Sequence, residues 1–311
     1  MQPSDILTEG RDYLCYVGME TDLIFNRGVD LPEFASFPLL ESAKGRSLLR
    51  SYAEAQVDMA RRFGVGVMLE TPTWMANADR AAPLGYAADR IEAINADAVD
   101  LLNRVSSDAG DVPTVVSVNI GPRSDAYAPA DRMQQAETAR LYHLPQVRAA
   151  AEAGANVVSG FTIGYANEAA GIALAARESG IPAVISFTVE TDGRLPGGET
   201  LHESITQVEE QTDGYPAYYM VNCAHPDHFA GALGDPAVVD RLAGVVANAS
   251  RCSHAELDEA MELDDGNPVE LGQQMGALAV RMPNLRVFGG CCGTDARHMS
   301  EIAARVTGAR G

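Results

Sequence analysis

Near its C-terminus the chain reads Val287-Phe288-Gly289-Gly290-Cys291-Cys292-Gly293-Thr294, an apolar run followed by two adjacent cysteines among glycines. Successive side chains of a regular strand point to opposite faces, so neighbouring cysteines in a strand cannot share a ligand. Gly290 and Gly293 let the backbone leave the extended form and turn both sulfurs the same way. A third cysteine, Cys223, closes the apolar run Tyr218-Tyr219-Met220-Val221-Asn222. Three thiolates at strand ends suit Zn2+, which binds sulfur at ~2.3 Å and in catalytic sites keeps its fourth position open. A lone buried cysteine is more often an ordinary core residue. Gly-Gly-Cys-Cys-Gly combined with a strand-end Cys223 favours a metal.

Other reactive residues carry weaker signals. His225 and His228 follow Cys223 at helical spacing, but Pro226 marks a helix start. Support of a cysteine ligand suits them better than ligation. Cys252-Ser253-His254 reads as a loop thiol near the same region, and Cys15 as packing in or behind a first strand. Gly64-Val65-Gly66 precedes a strand instead of joining strand to helix, so it is no dinucleotide fingerprint. No Gly-x-Gly-x-x-Gly follows a strand, which argues against a Rossmann-type methyltransferase.

Bringing three sulfurs together requires strands that end at one rim. Apolar runs place strands at Tyr13–Gly18, Gly66–Glu70, Thr114–Asn119, Ala155–Phe161, Ile181–Phe187, Ala217–Cys223, Leu242–Ala249 and Leu285–Gly289. Between them, helical spacing falls over Ser47–Phe63, Ala87–Val105, Met133–Ala153, Glu168–Ser179, Thr200–Glu210, Asp227–Leu233, Asn267–Met282 and Ala296–Val306. Pro145 is expected to kink or split the third of these helices. Strands alternating with helices call for parallel β-α units, and eight such units close into a single (β/α)8 TIM barrel, an α/β fold. Barrel enzymes place their chemistry where strands end and loops follow. Cys223 and the Cys291-Cys292 pair fall at the ends of strands six and eight, separated only by strand seven. With no repeat or linker visible, residues 1–311 read as one domain.

Composition narrows the partners. A formal charge of −20 and pI near 4.6 oppose nucleic acid and anionic membranes, which select basic surfaces. Five cysteines, with a vicinal pair, do not form a disulfide framework. No signal peptide or membrane-length apolar run is visible, so the expected compartment is the reducing cytoplasm.

The motifs Val221-Asn222-Cys223 and Gly289-Gly290-Cys291-Cys292-Gly293 resemble those of the homocysteine S-methyltransferase family. Weaker matches are Gly18-Met19-Glu20-Thr21-Asp22-Leu23, Ile94-Asn95, Ile120-Gly121-Pro122-Arg123 and Thr191-Asp192-Gly193-Arg194-Leu195, in order over roughly residues 12 to 307. The resemblance implies a (β/α)8 barrel in which Cys223, Cys291 and Cys292 hold one catalytic zinc. It also implies a substrate thiol in the fourth position, activated as thiolate, with no protein nucleophile. A free thiol has a pKa of about 8.5, so activation by a metal matters at neutral pH. The resemblance further implies small-molecule partners, a thiol acceptor and a methyl-onium donor, with self-association left open. The absence of room for a folate or cobalamin domain favours S-methylmethionine or S-adenosylmethionine as donor, beside betaine-like compounds.

Two positions depart from the family pattern. Its first strand usually ends in Asp-Gly-Gly, where this chain has Tyr16-Val17-Gly18. A Glu that contacts the substrate ammonium at the end of strand four is replaced by Phe161. Glu20, Asp22, Glu70 and Glu190 are the carboxylates available to compensate. Tyr16, Trp74, Phe161 and Tyr165 fall at strand ends, where aromatic faces attract methylated cations by ~0.5–2 kcal/mol each or simply pack the mouth. Asn222, Glu20, Thr21, Tyr16, Trp74 and Phe161 are therefore the expected substrate contacts. The other readings are the same chemistry, or demethylation, on a non-amino-acid thiol or quaternary ammonium donor, and a non-catalytic zinc or thiol-binding barrel.

Overall fold

A computed structural model describes residues 10–15, 17–129 and 134–310. Eight parallel strands close into a barrel in sequence order. They are β1 (Tyr13–Cys15), β2 (Gly66–Glu70), β3 (Thr114–Ile120), β4 (Val157–Ile163), β5 (Ala183–Phe187), β6 (Tyr218–Asn222), β7 (Leu242–Ala247) and β8 (Val287–Gly290). Closure is made by β8 on β1, with Tyr13 opposite Val287 and Cys15 opposite Gly289. The outer ring consists of α1 (Ala43–Phe63), α2 (Ala88–Asp108), α3 (Ala136–Glu152), α4 (Ala166–Ser179), α5 (Leu201–Thr212), α6 (Pro236–Arg241), α7 (Pro268–Arg281) and α8 (Ala296–Arg310). The expected (β/α)8 architecture is the observed one.

The strands are buried on both faces, which is why they read as nearly continuous apolar runs. One set of side chains, including Val67, Val116, Val158 and Ile185, packs outward against the helices. The other set, including Tyr13, Met68, Val157, Tyr218 and Val287, fills the barrel. A third cluster joins the long segment after β1 to the loop after β2, through Leu23, Phe37, Leu40, Met75 and Ile91. These two loops thereby cover one side of the mouth.

Several expected boundaries move. β1 stops at Cys15 because the chain then turns into a helical segment beginning at Met19. β7 stops at Ala247, and Asn248 donates instead to the Ala224 carbonyl beyond β6. β4 runs on to Ile163 through a register shift between Gly160 and Ile163. Pro145 does not split α3, which continues through it. The carbonyl deprived of its donor belongs to Leu141, an exposed residue. In place of one helix over Asp227–Leu233 there is a turn of helix at Pro226–Phe229, a tight turn at Ala232–Gly234 and then α6. Among the described residues no helix is long and apolar enough to cross a membrane.

Candidate functional site

The three cysteines meet at the rim where β6, β7 and β8 end. The β7–β8 ladder extends to Cys291, whose N–H donates to the Ala247 carbonyl at 2.7 Å. The strand therefore persists through Gly290, and the turn is made by Cys292 and Gly293, the latter at φ +78°. Because that turn begins between Cys291 and Cys292, the two sulfurs can share one side. Cys223 follows β6 in the left-handed region, at φ +54°. The Sγ atoms of Cys223, Cys291 and Cys292 lie within 4.8 Å of one another, with Cys223 and Cys292 3.9 Å apart. Tetrahedral zinc with ~2.3 Å bonds separates its sulfurs by roughly 3.8 Å. The cluster fits such an ion.

The electrostatics point the same way. Hydrogen bonds from the Cys291 and Cys292 thiols pull Cys223 well below the ordinary thiol range, and the two donors are correspondingly held up. Three thiolates in one buried spot repel one another, so ionising all three requires a cation among them.

The Cys291–Gly293 turn is fastened to the segment after β1. Thr21 Oγ1 accepts from Gly293 N at 3.2 Å and donates to Gly18 O at 2.9 Å. Gly18 N donates to Thr294 Oγ1 at 3.1 Å, and Thr294 Oγ1 donates to Cys291 O at 2.7 Å. A Cβ on Gly18 would lie 2.3 Å from the Cys291 carbonyl oxygen, so only glycine fits there.

On the other flank, fully buried Asn222 knits three strand ends together. Its Oδ1 accepts from Thr162 N at 2.9 Å and Ser186 Oγ at 2.7 Å, while Nδ2 donates to Thr162 Oγ1 at 2.8 Å. The Thr162 hydroxyl in turn hydrogen-bonds the Cys223 sulfur and helps lower its pKa. Thr162 has φ +60°, a strained conformation for a β-branched residue that costs about 1–3 kcal/mol unless the surroundings fix it. Asn222 supplies that fixing. Sequence reasoning missed Thr162, since nothing in Ser159-Gly160-Phe161-Thr162 signals a left-handed residue.

Tyr127, from the loop after β3, was also missed; it lies in a stretch without periodicity. Its hydroxyl bonds Thr188 Oγ1 at 2.9 Å and donates to Cys223 O at 3.1 Å. Its ring stacks on His254 at 3.6 Å between centroids. Tyr127, His254, Glu190, Cys252 and His228 line a narrow opening that reaches Cys223. Neither His225 nor His228 joins the sulfur cluster. His225 caps the Pro226–Phe229 helix through Nδ1, and burial lowers its pKa to about 4. His228 Nε2 bonds the Arg251 carbonyl at 2.9 Å. Cys252 is exposed and lies 3.8 Å from Asp264 Oδ2, outside the cluster.

Phe161 and Trp74 pack in the same inner layer as the cysteines, and Trp74 Nε1 donates to the Phe161 carbonyl at 3.1 Å. Arg80 covers one face of the Trp74 ring at 5.0 Å. Tyr165 is buried at the start of α4, and the inner layer does not include it. Tyr16 lies outside the described residues. Of the four carboxylates, Asp22 is paired with Arg27 at 2.8 Å and with the Tyr52 hydroxyl. Buried Glu20 accepts from Ser36 Oγ at 2.8 Å, and Glu190 faces the narrow opening. Glu70 points into the barrel, where burial raises its carboxyl to about 8 despite hydrogen bonds from Ser117, Ser159 and Cys15.

No curated protein sequence matches the chain. Among solved structures it is similar to the homocysteine methyltransferase MmuM of Escherichia coli, with 98% of this chain and 100% of that one covered. The oxidized form gives a TM-score of 0.74 at 19% identity, and the metallated form 0.70 at 21%. At such identity the likeness speaks for the fold. The sequence model of the homocysteine S-methyltransferase family matches residues 18–306, nearly the whole chain. With the barrel and its cysteine-bearing rim, that match makes this protein a member of the homocysteine S-methyltransferase family, an enzyme of methyl transfer.

Proposed function

We propose that the protein holds Zn2+ on Cys223, Cys291 and Cys292 and moves a methyl group from a small onium donor to homocysteine or a related thiol, the barrel acting as a single catalytic domain. The observation that carries this reading is the convergence of three sulfurs within 4.8 Å at the barrel mouth. Bound zinc would supply a charge that lets the acceptor thiol react as thiolate near neutral pH.

The chain's own residues have separate tasks. The cysteines present three sulfurs, and the hydroxyl of Thr162, held by Asn222, donates to that of Cys223. Thr21, Gly18 and Thr294 hold the Cys291–Gly293 turn in place. Trp74 and Phe161 offer apolar and aromatic surface suited to a methylated cation while excluding water. The thiol proton leaves to solvent, and the acceptor sulfur attacks the methyl carbon in line. As the new S–C bond forms, the bond to the onium centre breaks with its electron pair, and the donor departs neutral.

The test is methyl transfer by the zinc-loaded protein to L-homocysteine from S-methylmethionine and S-adenosylmethionine, followed by mass spectrometry. Methionine formed by the wild type but not by Cys292→Ala is the expected result. Stoichiometric zinc without turnover on any thiol and onium pair would overturn the reading in favour of a non-catalytic barrel.

A further inference from the structure

Inside the barrel lie polar oxygen atoms that the chemistry above does not use. Glu70 ends β2 and Asn119 lies on β3, on the same inward face as Ser117, which is opposite Glu70 in register. Glu70 Oε2 and Asn119 Oδ1 are both closed off from solvent and have no hydrogen-bond partner among the described residues. Both are acceptors when the carboxyl is ionised, and the nearest groups do not supply a cation. Ser117 and Ser159 pair with each other at 2.7 Å and, with Cys15 Sγ at 3.9 Å from Oε1, hydrogen-bond the Glu70 carboxyl, which leaves its Oε2 unpartnered. The titratable groups that interact with Glu70 from other strands are Cys15 and Tyr218, neither of them basic. Orphaned buried acceptors cost about 1–3 kcal/mol each, so this arrangement calls for a donor from outside the chain. Phe161 meanwhile brings no charge to the end of β4.

Resting on the thiol-methyltransferase reading, we propose that Glu70 and Asn119 form the subsite for the ammonium group of an amino-acid thiol. Its three N–H donors match oxygens from two neighbouring strands. Cys15 places that subsite in the inner layer that also contains the rim cysteines. The acceptor would thus be anchored from β2 and β3, not from the ends of β1 and β4.

Calorimetric titration of the zinc-loaded protein with L-homocysteine and with 4-mercaptobutyrate, the same carbon chain without the ammonium, tests this. The wild type should prefer homocysteine. Glu70→Gln should weaken homocysteine roughly 10- to 100-fold, the worth of one charge-assisted hydrogen bond, and leave 4-mercaptobutyrate nearly unchanged. Asn119→Ala should do the same to a smaller degree. Circular dichroism and zinc content serve as controls that both variants fold and keep their metal. Equal affinity for the two thiols, or equal losses on both, would overturn the subsite alone. Binding of neither thiol by a zinc-loaded wild type would sink the thiol-transfer reading and the subsite with it.

Discussion

At the scale of single residues, the site depends on groups that hold other groups. Asn222 binds Thr162 twice and Ser186 once, and Thr162 binds the Cys223 sulfur. Asn222→Ala would strand a buried N–H and release a strained residue. The expected result is a loss of about 1–3 kcal/mol in stability and about 10–100-fold in zinc affinity, read by thermal melting and chelator competition. Glu70 gives a pH signature. Burial raises its carboxyl from 4.5 to about 8, so the folded state favours the protonated form. That contribution is complete below pH 4.5 and is lost as pH rises through about 8. Melting of the metal-free wild type should therefore fall relative to Glu70→Gln across this window, whereas parallel curves would contradict the assigned environment. The cysteines were legible from residue type and spacing. Thr162, Tyr127 and the inward-facing Glu70 were not, because left-handed backbone and side-chain direction depend on tertiary contacts.

At the scale of elements, two segments distant in sequence must meet for the sulfurs to converge. Gly18 packs against the Cys291 carbonyl, and Thr21 and Thr294 bridge the same junction. Gly18→Ala would set a Cβ 2.3 Å from that oxygen, so the turn must shift. It should cost about 1–3 kcal/mol and lower zinc occupancy while the far-ultraviolet spectrum stays that of the barrel. Normal occupancy with normal stability would show the junction to be tolerant. The strands were legible because burial on both faces leaves long apolar runs, as in Thr114–Ile120. Their ends were harder to read, since β1 and β7 stop where the loop chemistry begins and β4 is extended by its register shift.

At the scale of the whole molecule, the barrel closes through backbone pairing of β8 on β1, and the three-sulfur cluster belongs to the rim. Chelation should therefore abolish methyl transfer with the secondary structure intact and with only a shift in melting temperature from lost ligand binding. Unfolding on chelation would mark a structural metal instead. Alternation of strand and helix made the architecture legible, while the direction of each side chain at the mouth had to come from the structure. The most direct test of the central claim is zinc-edge X-ray absorption, with and without homocysteine. The account predicts three sulfurs at about 2.3 Å with one lighter neighbour, changing to four sulfurs when the thiol binds. Zinc held by fewer than three sulfurs, or a coordination shell unchanged by every thiol tried, would contradict it.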